Sequence, residues 1–229
     1  MKKRLFKKEI TENPSNRSMS LKSFDIEKSS FDIIENEIGK YRYKDELEWS
    51  IVRRVIHATA DFDFARQQKL LFNNEAITSG FQAIETKCNI ITDVEMVRAG
   101  ISRNSLTKLD LKCLCNISDS NIIDESKRLN KTRAETSMRN LAKEMNGGII
   151  VIGNAPTALN EVIKMINEKI TIPSLIIGVP VGFVSALESK IELSKSGIPH
   201  ITNIGRKGGS SVASSIVNAL MLLYLHKNN

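Results

Sequence analysis

Three glycine-punctuated turns, each following a short apolar run, constrain this chain more than any other feature. They are Gly153-Asn154-Ala155-Pro156-Thr157-Ala158-Leu159, Gly178-Val179-Pro180-Val181-Gly182-Phe183-Val184 and Gly205-Arg206-Lys207-Gly208-Gly209-Ser210-Ser211. Each reads as a strand handing over to a helix. Strands are expected at residues 88–92, 111–116, 149–152, 175–179 and 199–203. Runs apolar on both faces, alternating with helices, indicate a five-stranded parallel sheet covered on both sides, an α/β fold. The three turns then gather at one edge of that sheet, where open α/β sheets bind their ligands. Helix N-termini there offer backbone N–H groups and positive dipole ends, which suit an anion.

The helices follow from apolar spacing and punctuation. Asp45 reads as an N-cap, with Leu47, Ile51, Val55 and Ala58 at helical spacing and Trp49, Val52 and Ile56 widening that face. Further helices are expected at 74–85, at 93–99 before Gly100, and at 132–145 before Asn146-Gly147-Gly148. Pro156 suits the first turn of the next helix, since its missing N–H would be unpaired there anyway. Val212, Ile216, Leu220 and Leu223 mark the closing helix. Residues 118–131 read as a polar connection.

The net charge of +7 raises a nucleic-acid reading, but its placement argues against one. Residues 1–18 hold six basic and two acidic side chains, so more than half of the excess lies in a polar tail. No aromatic-interleaved basic patch follows it. The tail is expected to be disordered, Met19 is a possible alternative start, and 19–229 forms one α/β domain. No run of 18 apolar residues suggests a membrane span, and the N-terminus lacks the apolar core of a signal peptide. Cys88, Cys113 and Cys115 have no metal-ligand spacing and read as buried thiols of a reducing cytoplasm.

His57 is the most suggestive side chain for chemistry. Arg54 lies one turn earlier on the same helical face, and Asp61 would share it if the helix continued. An imidazole so placed suits acid–base work, although a hydrogen-bonded structural histidine has the same pattern. Arg133, opening a helix, suits bidentate capture of a carboxylate or a surface ion pair. Arg206-Lys207-Gly208-Gly209 is not a Walker loop, because its lysine precedes the glycines. Gly208 and Gly209 permit close backbone approach to a ligand. The absence of Walker and dinucleotide spacings argues against a nucleotide-binding enzyme.

Taken together, Val52-Arg53-Arg54-Val55-Ile56-His57, Asp93-Val94-Glu95-Met96-Val97, the GNAPTA segment from Gly153, the GVPVGFV segment from Gly178 with Glu188-Ser189-Lys190, and Gly205-Arg206-Lys207-Gly208-Gly209-Ser210 resemble the precorrin-8X/cobalt-precorrin-8 methylmutases. The resemblance runs from about Ser23 to Leu225. It implies a flavodoxin-like three-layer fold, usually as a homodimer. It implies an isomerase of cobalamin biosynthesis that moves a methyl group from carbon 11 to carbon 12 of a tetrapyrrole-derived corrinoid, giving (hydrogeno)cobyrinic acid. No cofactor, metal, nucleic acid or membrane is implied. The family's catalytic histidine corresponds to His57. Its substrate-binding positions correspond to Ser30, Arg54 and Arg133, and Asn154, Arg206, Gly208 and Gly209 are expected to join them at the carboxylates. A non-catalytic corrinoid carrier is the alternative.

Overall fold

A computed structural model describes residues 21–227, so the basic tail 1–18 and Met19 lie outside the described residues. Two compact units divide between Gly39 and Lys40. In the first, α1 (Leu21–Ile38) is a single helix.

The second unit opens with α2 (Glu46–Thr59). The Asp45 carboxylate accepts from the N–H groups of Leu47 and Glu48, as a capping residue should. Then follow β1 (Leu70–Phe72), α3 (Ala76–Glu85), β2 (Ile90–Thr92), α4 (Glu95–Gly100), α5 (Arg103–Leu109), β3 (Cys113–Leu114) and α6 (Ser120–Leu129). The chain continues through α7 (Arg133–Asn140), β4 (Ile149–Ile152), α8 (Pro156–Asn167), β5 (Leu175–Gly178), α9 (Ala186–Lys195), β6 (His200–Asn203) and α10 (Ser210–Lys227).

The sheet has six strands in the order β1-β6-β5-β4-β2-β3, where five parallel ones were expected. The added strand, β1, runs antiparallel along β6, with Leu70 opposite Asn203 and Phe72 opposite Ile201. The sheet is therefore mixed. A three-residue edge strand between polar neighbours leaves no periodicity to read in the sequence. From β2 the chain crosses to β3 on one side and then to β4 on the other, so the strand order reverses between β2 and β4.

Helices cover both faces. Ile150, Ile152 and Ile176 pack with Met138, Leu159, Val162, Ile163 and Leu193 of α7, α8 and α9. On the other face a Cβ on Gly80 of α3 would touch Leu175 and Leu220, which places α3 and α10 over β5. Burying twelve Ile, Leu, Val and Met side chains on one face alone, at about 2 kcal/mol each, makes this core the main stabilising term.

Four local expectations need correction. The connection 118–131 contains α6, whose only buried residues are Ile122 and Ser126, too sparse a stripe to stand out among polar neighbours. The helix expected over 132–145 is regular only to Asn140, beyond which Ala142 and Asn146 donate to carbonyls three residues back. Ala58 is exposed, and α2 buries Trp49, Ile51, Val52, Val55 and Ile56 instead. The three cysteines are half-buried rather than fully buried. Burial pushes the Cys113 thiol up to about 12, so it is a poor nucleophile at neutral pH.

Candidate active site

The three glycine turns meet at the C-terminal edge of the parallel strands, laced together by their own backbone. Val179 N–H donates to Ile152 O at 2.9 Å and Val181 N–H to Gly153 O at 3.4 Å, joining the second turn to the first. Gly209 N–H donates to Val179 O at 2.9 Å and Gly182 N–H to Arg206 O at 3.1 Å, joining the third to the second. Glycine is required for this approach. A Cβ on Gly208, at φ +155°, would lie 2.2 Å from Val179 O. One on Gly153 would lie 3.0 Å from the Ser210 Cα.

The helices bring in the candidate side chains. Arg133 is the first residue of α7, which a capping box between Thr132 and Glu135 fixes. Thr132 Oγ1 is 2.9 Å from Thr157 Oγ1, so the starts of α7 and α8 touch and Arg133 stands beside the first turn. Arg54 and His57 lie in the last turns of α2, which ends at Ala60 in the left-handed conformation. The helix does not continue to Asp61, so Asp61 does not share the face of His57. Asp61 instead caps the 3-10 turn Phe62–Ala65 and meets the third glycine turn: Lys207 Nζ is 2.8 Å from its Oδ2 and 2.7 Å from Asp63 Oδ2. These bonds raise the Lys207 ammonium above the ordinary lysine value. They also bring the C-terminal end of α2 to the same edge as the glycine turns.

The side chains of His57, Arg133, Asn154 and Arg206 are exposed there, and Arg54 is half-buried. The Arg206 guanidinium lies over the Phe183 ring, 5.3 Å from its centroid, and Phe183 itself is 83% exposed. Gly208 is half-buried and Gly209 buried within the third turn. Ser30 belongs to the first unit, where its hydroxyl donates to Ile26 O on α1.

One expectation fails at the first turn. Its N–H groups are not open to an external anion, because Asp93 fills them. The Asp93 carboxylate accepts from Gly153, Asn154 and Ala155 N–H at 3.1, 2.7 and 2.7 Å. Asp93 is completely buried at the end of β2, at the point where the strand order reverses. Burial pushes its carboxyl up, and the three amides pull it back. The sequence places Asp93 at a helix start, but its partners lie some sixty residues away.

Lys190 was also missed. It sits inside the Glu188-Ser189-Lys190 motif, yet its side chain is buried, and Nζ donates to Lys207 O at 2.9 Å and to Asn203 Oδ1 at 3.3 Å. Among the described residues no group of His, Cys, Asp and Glu could hold a metal ion. No described helix is long and apolar enough to cross a membrane.

A mixed open sheet with a strand-order reversal, a glycine-lined C-terminal edge and three arginines around it defines an open-sheet α/β protein whose candidate site lies at that edge. The model of the precorrin-8X methylmutase family matches residues 25–223. A cobalt-precorrin-8 methylmutase of Priestia megaterium is 48% identical over 198 residues, 86% of this chain and 87% of the relative. One of Leptospira interrogans is 47% identical, and a precorrin-8X methylmutase of Pseudomonas aeruginosa is 34% identical over 85% of the chain and 93% of the relative. A crystal structure of a precorrin-8X methylmutase from Thermus thermophilus superposes with a TM-score of 0.80 at 33% identity, covering 87% of this chain and 95% of that one. The chain belongs to the precorrin-8X methylmutase family. It is accordingly an isomerase of cobalamin biosynthesis.

Proposed function

We propose that this enzyme converts cobalt-precorrin-8 to cobyrinic acid with His57 as the proton donor to the macrocycle. Support for the cobalt-bound form comes from the relatives near 48% identity, which carry that name, while the Pseudomonas relative named for the cobalt-free form stands at 34%. The methyl–carbon 11 bond breaks and the methyl–carbon 12 bond forms within one molecule, so atoms balance without a methyl donor or redox partner. The chemistry asks for one tautomer of the ring, held in one conformation, with charge change near the migrating carbon stabilised. His57 supplies a proton or hydrogen bond at the macrocycle and recovers it when the product leaves. Arg54, Arg133 and Arg206, with the Gly208-Gly209 turn and the Asn154 side chain, receive the peripheral carboxylates. Ser30 is part of the same proposal as a substrate contact.

The observation that carries this reading is the junction of α2 with the third glycine turn through Lys207, Asp61 and Asp63, which draws the histidine helix toward the carboxylate-binding turn. Replacing the histidine tests it. His57→Ala should fold and still bind cobyrinic acid but lose about 100-fold or more in turnover. Wild-type turnover in a folded variant excludes the role.

The same reading includes a flavodoxin-like lineage, a homodimer and a cytoplasmic location. The five parallel strands, counted in chain order, run 2-1-3-4-5, which supports the first. Phe183 and Val184, at 83% and 82% exposed, give apolar surface beside the site that a second copy would cover.

A further inference from the structure

A buried lysine is costly, and Lys190 is buried completely. Its two acceptors, Lys207 O and Asn203 Oδ1, are neutral oxygens, and among the described residues it forms no ion pair. Burial pulls its ammonium down to about 8, which still leaves it mostly charged at neutral pH. A methionine would fill the same volume without the desolvation cost, but it would leave the buried Asn203 Oδ1 without a donor. The question is what the two hydrogen bonds of the lysine hold in place.

What the lysine holds is the third glycine turn. Lys207 is gripped at three places. Its N–H donates to Gln68 Oε1 at 2.9 Å, and its side chain pairs with Asp61 and Asp63. Its carbonyl accepts from Lys190 Nζ and from Asn203 Nδ2, the latter at 3.0 Å. Asn203 is buried at the end of β6, so the strand, α9 and the turn share one hydrogen-bonded junction. Directly after it come Gly208, pressed against Val179 O, and Gly209, whose N–H is tied to the same oxygen. The turn has little freedom left.

We propose that Lys190 is a positioning residue of this active site. Its buried ammonium fixes the Lys207 carbonyl, so that the Gly205–Ser211 turn is preformed to receive a carboxylate of the corrinoid. It also places beneath that turn an ammonium whose own contacts are neutral oxygens, so a substrate carboxylate bound at the turn is attracted to it. The inference rests on the reading of this turn as substrate-binding.

The test is Lys190→Met, read by melting temperature, by kcat and KM, and by the dissociation constant of cobyrinic acid from an absorbance titration. Because the substitution also leaves the buried Asn203 Oδ1 without its donor, the variant should melt somewhat below the wild type. It should lose at least about tenfold in kcat/KM, mainly through KM, with a parallel rise in the dissociation constant. That is the size of one charge-assisted hydrogen bond. A structural role alone predicts activity lost only in proportion to the folded fraction, with KM and the dissociation constant unchanged. That pattern, or wild-type kcat/KM and affinity, overturns the proposal. Should Lys190→Met not fold, Lys190→Gln retains a neutral donor, and wild-type affinity in that variant overturns the role of the charge. Failure of the wild-type protein itself to bind cobyrinic acid would instead contradict the substrate reading.

Discussion

The first and third glycine turns look alike in the sequence and are opposites in the structure. Both follow a buried strand, both open a helix, and both lie at the same edge of the sheet. The Gly153–Ala155 turn is closed from within, since the Asp93 carboxylate takes its three N–H groups. The Gly205–Ser211 turn is held from behind by cations, with Lys190 on its carbonyl and Lys207 tied to Asp61 and Asp63. One turn carries its own anion on its amides, and the other has its carbonyl held by an ammonium that contacts only neutral oxygens. A helix N-terminus at a strand-order reversal is thus not by itself an anion site. The side chain delivered from the neighbouring strand decides whether the amides remain open.

The largest expected effect comes from opening the closed turn. Asp93→Ala removes a buried acceptor from three amides and should cost about 3 kcal/mol or more of stability. The vacated cradle then has the shape and donors for a small carboxylate. Added formate should restore the melting temperature in a dose-dependent manner, while chloride at equal ionic strength should not. A variant as stable as wild type, or one indifferent to formate, would mean that Asp93 is not the turn's anion.

A smaller effect is expected at the other turn. Lys207→Met cuts the link between the turn and the end of α2. Because Lys207 is 38% exposed, the loss of stability should be about 1 kcal/mol or less. The raised Lys207 value fixes the sign. This contribution is fully present below the ordinary lysine range and disappears as pH rises through the higher folded value. The difference in urea midpoint between wild type and variant should therefore be constant near neutrality and shrink only in strong alkali. Activity should fall more than stability, because the turn and the histidine helix are no longer tied. Equal, small losses of both would remove the link from the account.

Much of this edge was legible in advance because glycine and proline write backbone geometry directly into sequence. Pro156 opens α8 as expected, and the turns after Ile152, Gly178 and Asn203 meet as their apolar runs suggest. Asp45 caps α2 because its side chain acts on neighbours two and three residues away, within reach of local reading. The partners of Asp93 and Lys190 come from other elements, and no local pattern encodes them. Lys190 was hardest to see, since a lysine in a helix beside glutamate and serine reads as solvated surface. β1 and α6 were lost for a simpler reason: three residues of strand and two buried helix positions give too little periodicity to separate from a loop.

The most direct test is a structure of the enzyme with cobyrinic acid bound. The account predicts a corrinoid carboxylate within hydrogen-bond distance of the Gly208–Ser211 backbone or Arg206, with Asp93 still seated on the Gly153, Asn154 and Ala155 amides. A carboxylate that displaces Asp93 from the first turn, or a corrinoid whose carboxylates avoid the third, would contradict it.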